Sequence, residues 1–339
     1  WLWLTTGMNT KEWTSIHRKH HAAVETPEDP HSPAVLGLHK VFWEGVELYR
    51  LGRTDEIRAK YGRGTPEDWL ELKVYTPRSQ LGIFLLMGLD LLLFGPIGLT
   101  VWAAQMIWIP IFAAGIINGV GHHTGYRNFE SPDASTNVSP WGIIIGGEEL
   151  HNNHHTYPSS AKMSVKWFEF DIGWMWITIF SWFGLAKAKR LPPVAHHEPE
   201  KRDIDLDTTL AVINNRFHVM AQFGATVVAP LAEQERAVGT GGSKELFRRA
   251  KLLLCREESL LDEETRKTRS RLLAQSDVLN VIYQSRLELQ ELWENRTASK
   301  DELLSCLHDW CQKAEASGIR ALEEFSLRLR SYTMGPEPA

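Results

Sequence analysis

Apolar residues are spread unevenly along the 339-residue chain, which has a hydrophobic first half and a charged second half. From Leu81 to Asn118 the sequence is almost continuously apolar, interrupted by Gly95-Pro96-Ile97-Gly98, a turn signal. The apolar runs on either side of that turn approach the ~20 residues that cross a ~30 Å bilayer core as a helix. The pattern predicts a membrane hairpin rather than a buried soluble one, since the flanks are basic and Trp102 and Trp108 suit a membrane helix. Asp90 is the anomaly, because an ionisable group is costly in such a segment. It lies about five residues before the turn, near enough to reach the far interface.

Other apolar stretches are shorter. Trp1 to Leu4 reads as the end of another membrane helix with its tryptophans at the interface. The chain opens on Trp1 rather than Met, so the reading expects a missing N-terminus. Val41 to Tyr49 alternates aromatic, aliphatic and acidic residues and should lie along a surface. Trp167 to Leu185 is strongly aromatic, but Glu169, Asp171 and Gly173 leave it short for a span. An interfacial helix is expected, followed by basic Lys187, Lys189 and Arg190. With Arg50, Arg53, Arg58, Lys60 and Arg63, these cations mark the cytoplasmic side. Glu25 to Pro33 carries three prolines and must be turns or an ordered loop.

From Asp203 onward, apolar residues recur at three- and four-residue spacing over Leu210–Leu231, Lys244–Cys255 and Glu263–Trp293, which predicts helices. Ser299 to Glu302 is a capping box, Gly318 is placed to end the helix it opens, and Val238 to Ser243 is a glycine loop. The expected fold class is all-α: an integral membrane helical hairpin with a cytoplasmic cap, followed by a soluble helical region. The boundaries are residues 1–191, a proline-bearing linker 192–204, and 205–334. Net charge is −5, so no nucleic-acid partner is expected. Cys255, Cys306 and Cys311 are irregularly spaced and odd in number, as for free thiols in a reducing compartment.

Histidine supplies the candidate chemistry. His17-Arg18-Lys19-His20-His21 and His151-Asn152-Asn153-His154-His155 each space their imidazoles at i, i+3 and i+4, on one narrow helix face. Imidazole suits iron, zinc, copper and nickel. Six are too many for one tetrahedral zinc, so a polynuclear site is the better reading. The hairpin returns the chain to the side where it began, which brings its end at Asn118 to His122 beside both boxes. Asn118 and His122 share a helix face at i, i+4, and His122 is a seventh candidate ligand. His31, His39, His123, His196, His197, His218 and His308 lack partners at ligand spacing and read as ordinary polar residues.

These boxes, with Glu12-Trp13 and Phe168-Glu-Phe-Asp-Ile-Gly173, resemble the later histidine boxes of the membrane fatty acid desaturases. The likeness is greatest to the bacterial delta-9 type, runs from Trp1 to about Leu191, and rests on specific motifs. It implies two non-haem iron ions that activate O2 and remove two hydrogens from a saturated acyl chain, carried by phospholipid or CoA. The enzyme class is an oxidoreductase acting on paired donors with reduction of O2 to water. Electrons would come from a separate ferredoxin, rubredoxin or cytochrome with its reductase. The setting would be a bilayer, the bacterial inner membrane, with the boxes and the C-terminal region cytoplasmic. His17, His20, His21, His122, His151, His154 and His155 would be iron ligands, with Asn118 reaching iron through water. Glu148, Glu149, Asp29, Asp133 and Asp171 are candidates to orient the imidazoles. Asn9 and Trp13 would contact substrate, Trp13 either at a bend of the acyl tunnel or as a packed interfacial residue.

The sequence departs from the family in two places. An earlier H-x(3–4)-H box is absent and is expected in a missing N-terminal piece, so the chain as given is expected to be inactive. That box is expected within about 40 residues upstream of Trp1, room for one more span and its interfacial ends. Animal acyl-CoA enzymes carry Arg-Asp just before this box, where Ser15 and Ile16 stand here, which favours a lipid-bound acyl chain. A related membrane hydroxylase, or a non-catalytic metal-binding adaptor acting through its helical tail, are the alternatives. The tail's last stretch also faintly resembles the helical ends of insertion-sequence transposases, without implying their chemistry.

Overall fold

The computed structural model describes residues 2–239, 242–295 and 297–335. Trp1, and Thr240 and Gly241 of the expected glycine loop, lie outside them. The chain divides into two compact units, one of residues 1–127 and 133–191, the other of residues 128–132 and 192–339.

In the first unit the apolar stretch is helical from Ser79 to His122, long and apolar enough to cross a membrane by length and composition. It is not straight. The Trp102 indole donates to the Ile83 carbonyl at 3.2 Å across 19 residues, which a continuous helix would hold about 28 Å apart. The chain therefore reverses between Ser79–Phe94 and Gly98–Ile109, through a tight turn at Gly95–Ile97 where Gly95 takes φ +62°.

Pro110 has no amide hydrogen, and its ring clashes with the carbonyl four residues earlier, at Met106. The helix continues from it as a wide π-turn, Pro110–Gly119, and tightens at Val120–His122. Asn118 and His122 thus do not share one α-helical face. The i, i+4 pairing needs a regular α-helix, which is lost after Pro110.

Ile172–Trp182 has 11 residues and none buried, about 16 Å of helix and too short to cross a bilayer core. Val41 to Tyr49 belongs to the helix Leu38–Leu51, which buries Val41 and Leu48 and leaves Trp43, Val46 and Leu51 exposed.

The fold is not purely helical. Trp141–Gly142 pairs in parallel with Phe170–Asp171, and His196–His197 pairs antiparallel with Tyr332–Thr333. The first pair frames the second histidine box. There Gly146 and Gly147 adopt φ +68° and +108°, and a methyl at Gly147 would lie 2.6 Å from Asp171 Oδ1. Only glycine fits that approach.

The second unit is a helical domain with a contiguous apolar core that includes Phe223, Leu253, Ile282, Leu307 and Tyr332. The Trp310 indole donates to the Ser285 carbonyl at 2.7 Å. The Ser299–Glu302 capping box forms as expected, and Gly318 at φ +67° follows the helix Lys300–Ala316. Leu210–Leu231 is interrupted at Asn215 and widens at Gly224–Val228. Glu263–Trp293 is two helices, the second capped by Ser276.

The two units bury opposite kinds of residue. The first has a polar interior rich in histidine, asparagine and carboxylates, while Leu92 at 82 %, Ile97 at 70 % and Trp167 at 95 % exposure face outward. Gly147→Ala should cost about 1–3 kcal/mol from its backbone conformation alone, and more from the clash. Thermal melts of the detergent-solubilised chain should show a larger drop for it than for Gly146→Ala, which has open space. Equal melting temperatures would contradict this packing.

Candidate metal centre

The first box sits on the helix Thr10–Ala22, which starts where the Asn9 side chain accepts the Lys11 and Glu12 amides. Asn9 Nδ2 donates to Thr76 Oγ1 at 3.0 Å. Its side-chain oxygen thus caps the helix and its nitrogen ties the helix start to Thr76. Buried Glu12 pairs with Arg53 and Arg58 at 2.9 and 3.1 Å, so two of the basic residues clamp the box helix rather than simply facing solvent. The second box is the six-residue helix His151–Thr156, buried at every position. Asn153 anchors it, donating to Glu169 Oε2 at 2.9 Å and accepting from Asn137 Nδ2 at 3.2 Å.

The three segments converge. His20, His122, His151 and His155 form one group, and His17, His21 and His154 another, with the ligand atoms in each within 4.8 Å of one another. The groups abut, the His21 and His155 rings lying 4.3 Å apart. In the three-histidine group the Nε2 atoms are separated by 2.9, 3.0 and 3.2 Å. His122 and His151 meet at 3.0 Å through Nε2. Two nitrogens bound at right angles to a metal at about 2.1 Å stand about 3.0 Å apart.

Carboxylates face the outer nitrogens of the four-histidine group. Asp29 Oδ1 is 2.9 Å from His20 Nδ1, and Asp133 Oδ2 is 3.2 Å from His155 Nδ1. Glu25 Oε1 is 3.5 Å from His122 Nδ1, and Glu148 Oε2 is 3.6 Å from His151 Nδ1. At His20 and His155 the bonded carboxylate holds the proton on Nδ1, leaving Nε2 with its lone pair, whereas the Nδ1 atoms of His122 and His151 have an acid nearby but no hydrogen-bond partner. Several lone pairs then face one another in a dry pocket, and a cation between them is the arrangement that satisfies them. The buried Nε2 atoms of His20 and His155 have no protein hydrogen-bond partner. The residues fit metal ions.

The remaining predicted residues are used differently. Glu149 Oε1 accepts the amides of Ile144 and Ile145. Asp171 caps the helix at Ile172 by accepting the Trp174 amide, and also takes those of Met163 and Ser164. Both acids serve backbone donors rather than imidazoles. Asn118 is half-buried one turn before His122. Trp13 stacks on His17 with ring centroids 4.7 Å apart and planes 12° off parallel, and is 38 % exposed.

Two residues were not foreseen. Glu25 adopts φ +61°, the only positive value outside glycine among the described residues. This turn aims its carboxylate at His122 and at the Ala134 amide, 2.6 Å away. His31 is buried, stacks on His20 at 4.3 Å and groups with His20 and Asp29. An acid and a histidine at the ends of a proline-rich loop beside a box were the available signal.

The fold and site define a helical protein whose buried polyhistidine cluster is built for metal ions. The fatty acid desaturase profile matches residues 1–177, just over half of the chain, and the chain belongs to that family. It is 31 % identical over 185 residues to delta-9 acyl-lipid desaturase 1 of Arabidopsis thaliana, covering 53 % of this chain and 59 % of that protein. The sn-1 stearoyl-lipid 9-desaturase of Synechocystis sp. is 31 % identical over 186 residues, covering 54 % and 56 %. An acyl-CoA 5-desaturase of Anemone leveillei is 30 % identical over 192 residues, covering 54 % and 57 %. The chain thus spans a little over half the length of these relatives. A transposase profile matches residues 208–335, where the structure is helical. No solved structure matches.

Burial drives His17, His20, His21, His151 and His155 well below the ordinary histidine value of 6.5, helped by neighbouring imidazoles, and His31 to about 3. These groups stay neutral in the folded chain, whereas the unfolded chain takes up protons below about pH 6.5. Stability is therefore fully present above that value and is lost as pH falls towards the folded values. The metal-free chain should melt at progressively lower temperature from about pH 7.5 to 5. The loss should be steeper than the ~1.4 kcal/mol per pH unit of one histidine. A flat profile in a pH-resolved melt would refute the neutral cluster.

Proposed function

We propose that the protein is an oxygen-dependent diiron desaturase that introduces a double bond, at the delta-9 position, into saturated fatty acyl chains. The observation that carries this is the convergence of seven imidazoles in two abutting groups, in a chain similar to acyl-lipid desaturases over its first half. A methylene chain has no acid, no polar handle and no leaving group, so acid–base catalysis has nothing to act upon. Two iron ions bound here supply O2 activation and hydrogen abstraction.

The protein's own residues hold and orient. His20, His122, His151 and His155 would hold one ion, and His17, His21 and His154 the other. Asp29 and Asp133 orient the imidazoles of His20 and His155, and Glu25 and Glu148 stand beside those of His122 and His151. Trp13, stacked on His17 and partly open, walls the acyl chain beside the metal ligands. Asn118, half-buried and close to His122 in sequence, would reach the ion at His122 through water, as the family resemblance implies. The reaction balances as a saturated CH2–CH2 unit, O2, two electrons and two protons giving CH=CH and two waters. The electrons come from a ferredoxin, rubredoxin or cytochrome and its reductase.

The polar interior and apolar exterior of the first unit support a bilayer setting, since Leu92, Ile97 and Trp167 find no protein cover. The Ser79–His122 segment enters and returns as a membrane hairpin. The boxes and the helical C-terminal region lie on the cytoplasmic side of a bacterial inner membrane. An acyl-lipid substrate is favoured over acyl-CoA because Ser15 and Ile16 are buried and offer no charge to a CoA head.

Expression from the complete coding sequence in a host low in unsaturated lipids, followed by gas chromatography of its fatty acids, tests the reading. A new double bond at carbon 9 is expected, and His155→Ala should abolish it. A hydroxylated product would identify a hydroxylase. Unchanged lipids with fewer than two irons per chain would indicate a metal-binding adaptor.

A further inference from the structure

Among the described residues, Glu25 alone takes a positive φ without being glycine, at +61°. It sits in a tight series of turns, where the Thr26 amide bonds to the Ala23 carbonyl at 3.1 Å and the Asp29 amide to the Thr26 carbonyl at 3.0 Å. Glycine takes this backbone conformation without steric cost, and glutamate does not. A strained residue beside a buried site is a pointer to what its side chain does there.

Glu25 is bonded at both ends. Its amide donates to Asp29 Oδ2 at 3.0 Å, while Asp29 Oδ1 faces His20 Nδ1 at 2.9 Å and accepts the His31 amide at 3.1 Å. Its own Oε1 accepts the Ala134 amide at 2.6 Å, across 109 residues of sequence. The adjacent Asp133 holds His155 Nδ1 at 3.2 Å through Oδ2 and accepts the Ser135 amide at 3.0 Å through Oδ1. The same Glu25 oxygen stands 3.5 Å from His122 Nδ1, near but not bonded. A line of protein groups thus runs from His20 through Asp29 and Glu25 to Ala134 and Asp133, and on to His155. The rings of His20 and His155 lie 5.1 Å apart.

We propose that Glu25 is a positioning residue: its carboxylate latches the loop that follows the first histidine box onto residues 133–134, and so sets His20 against His155 before an ion binds. It acts through the Ala134 amide and through Asp29. Every link in the line is a contact the chain itself makes, and the strain at Glu25 is the cost of placing an acid where a bare turn would take glycine. The metal-binding arm of the test rests on the reading of the cluster as a metal centre; the latch itself does not.

A series of substitutions at this residue separates strain, hydrogen bond and charge. Glu25→Ala removes the carboxylate and keeps the strain, and Glu25→Gly removes both. Glu25→Gln removes the charge but still offers an oxygen to the Ala134 amide. In the metal-free 339-residue chain in detergent, hydrogen–deuterium exchange at Ala134 should be about ten-fold faster in Glu25→Gly and Glu25→Ala, as for a lost bond to a carboxylate. It should be largely restored in Glu25→Gln. Co(II) affinity, read by visible absorbance, should fall about ten-fold in the first two, the low end of what a partner that orients a ligand contributes, and recover in the third. Glu25→Gly should melt above Glu25→Ala, because glycine relieves the backbone, so its weaker Co(II) binding is not a loss of fold. Unchanged Ala134 exchange and Co(II) affinity in Glu25→Gly would overturn the latch. So would Glu25→Gln losing as much as Glu25→Gly, which would place the effect in the charge and not in the hydrogen bond. An unsubstituted chain that binds no Co(II) would remove the metal-centre reading, and the exchange measurement would still decide the latch.

Discussion

The first unit depends on one electrostatic arrangement: imidazoles whose outer nitrogens face carboxylates and whose inner nitrogens face each other. Either half alone would be unfavourable. Buried carboxylates without donors carry a heavy desolvation cost, and so do inward lone pairs without a cation. Together they define a cavity matched to positive charge, and much of the surrounding chain serves to hold those charges in register. Asn9 starts the first box helix, Arg53 and Arg58 clamp its Glu12, and Asn137 and Glu169 hold the second box through Asn153.

That arrangement explains why the interior of this unit is polar. A domain usually gains most of its stability from apolar burial, as the second unit does around Phe223 and Leu307. In the first unit Ile16, Val41, Leu86, Ile117 and Leu150 are buried, but Leu92 and Ile97 of the hairpin face outward and the helix Ile172–Trp182 buries none of its residues. Metal-site ligands at its centre and uncovered leucine and tryptophan at its surface are two consequences of one design. On the proposed function, the chemistry would act on an apolar substrate in an apolar phase.

Much of the site was legible because its signals are local. The i, i+3, i+4 histidine spacing survives in both box helices, Ser299 to Glu302 caps its helix as read, and Gly95-Pro96 turns the hairpin. What escaped was non-local or depended on backbone geometry. Glu149 and Asp171 look like Glu148 and Asp133 in one dimension, but their oxygens serve backbone amides of nearby turns. Glu25 is distinguished by a left-handed backbone that no composition reveals. Asn118 and His122 were paired by α-helical arithmetic that a single proline, Pro110, invalidates eight residues earlier than Asn118.

The irregular backbone at that point has a structural logic. A regular helix continuing from Gly98 would present its end residues at a fixed angle and pitch. The π-turn of Pro110–Gly119 followed by the tighter turn Val120–His122 rotates and shifts the chain just before the ligand. His122 is thereby delivered to His151 at 3.0 Å and its outer nitrogen to Glu25. Both contacts come from segments far away in sequence, so neither partner can adjust independently of the box it serves. The hairpin is the element able to yield, and its distortion lies where it leaves the apolar stretch and meets the polar centre.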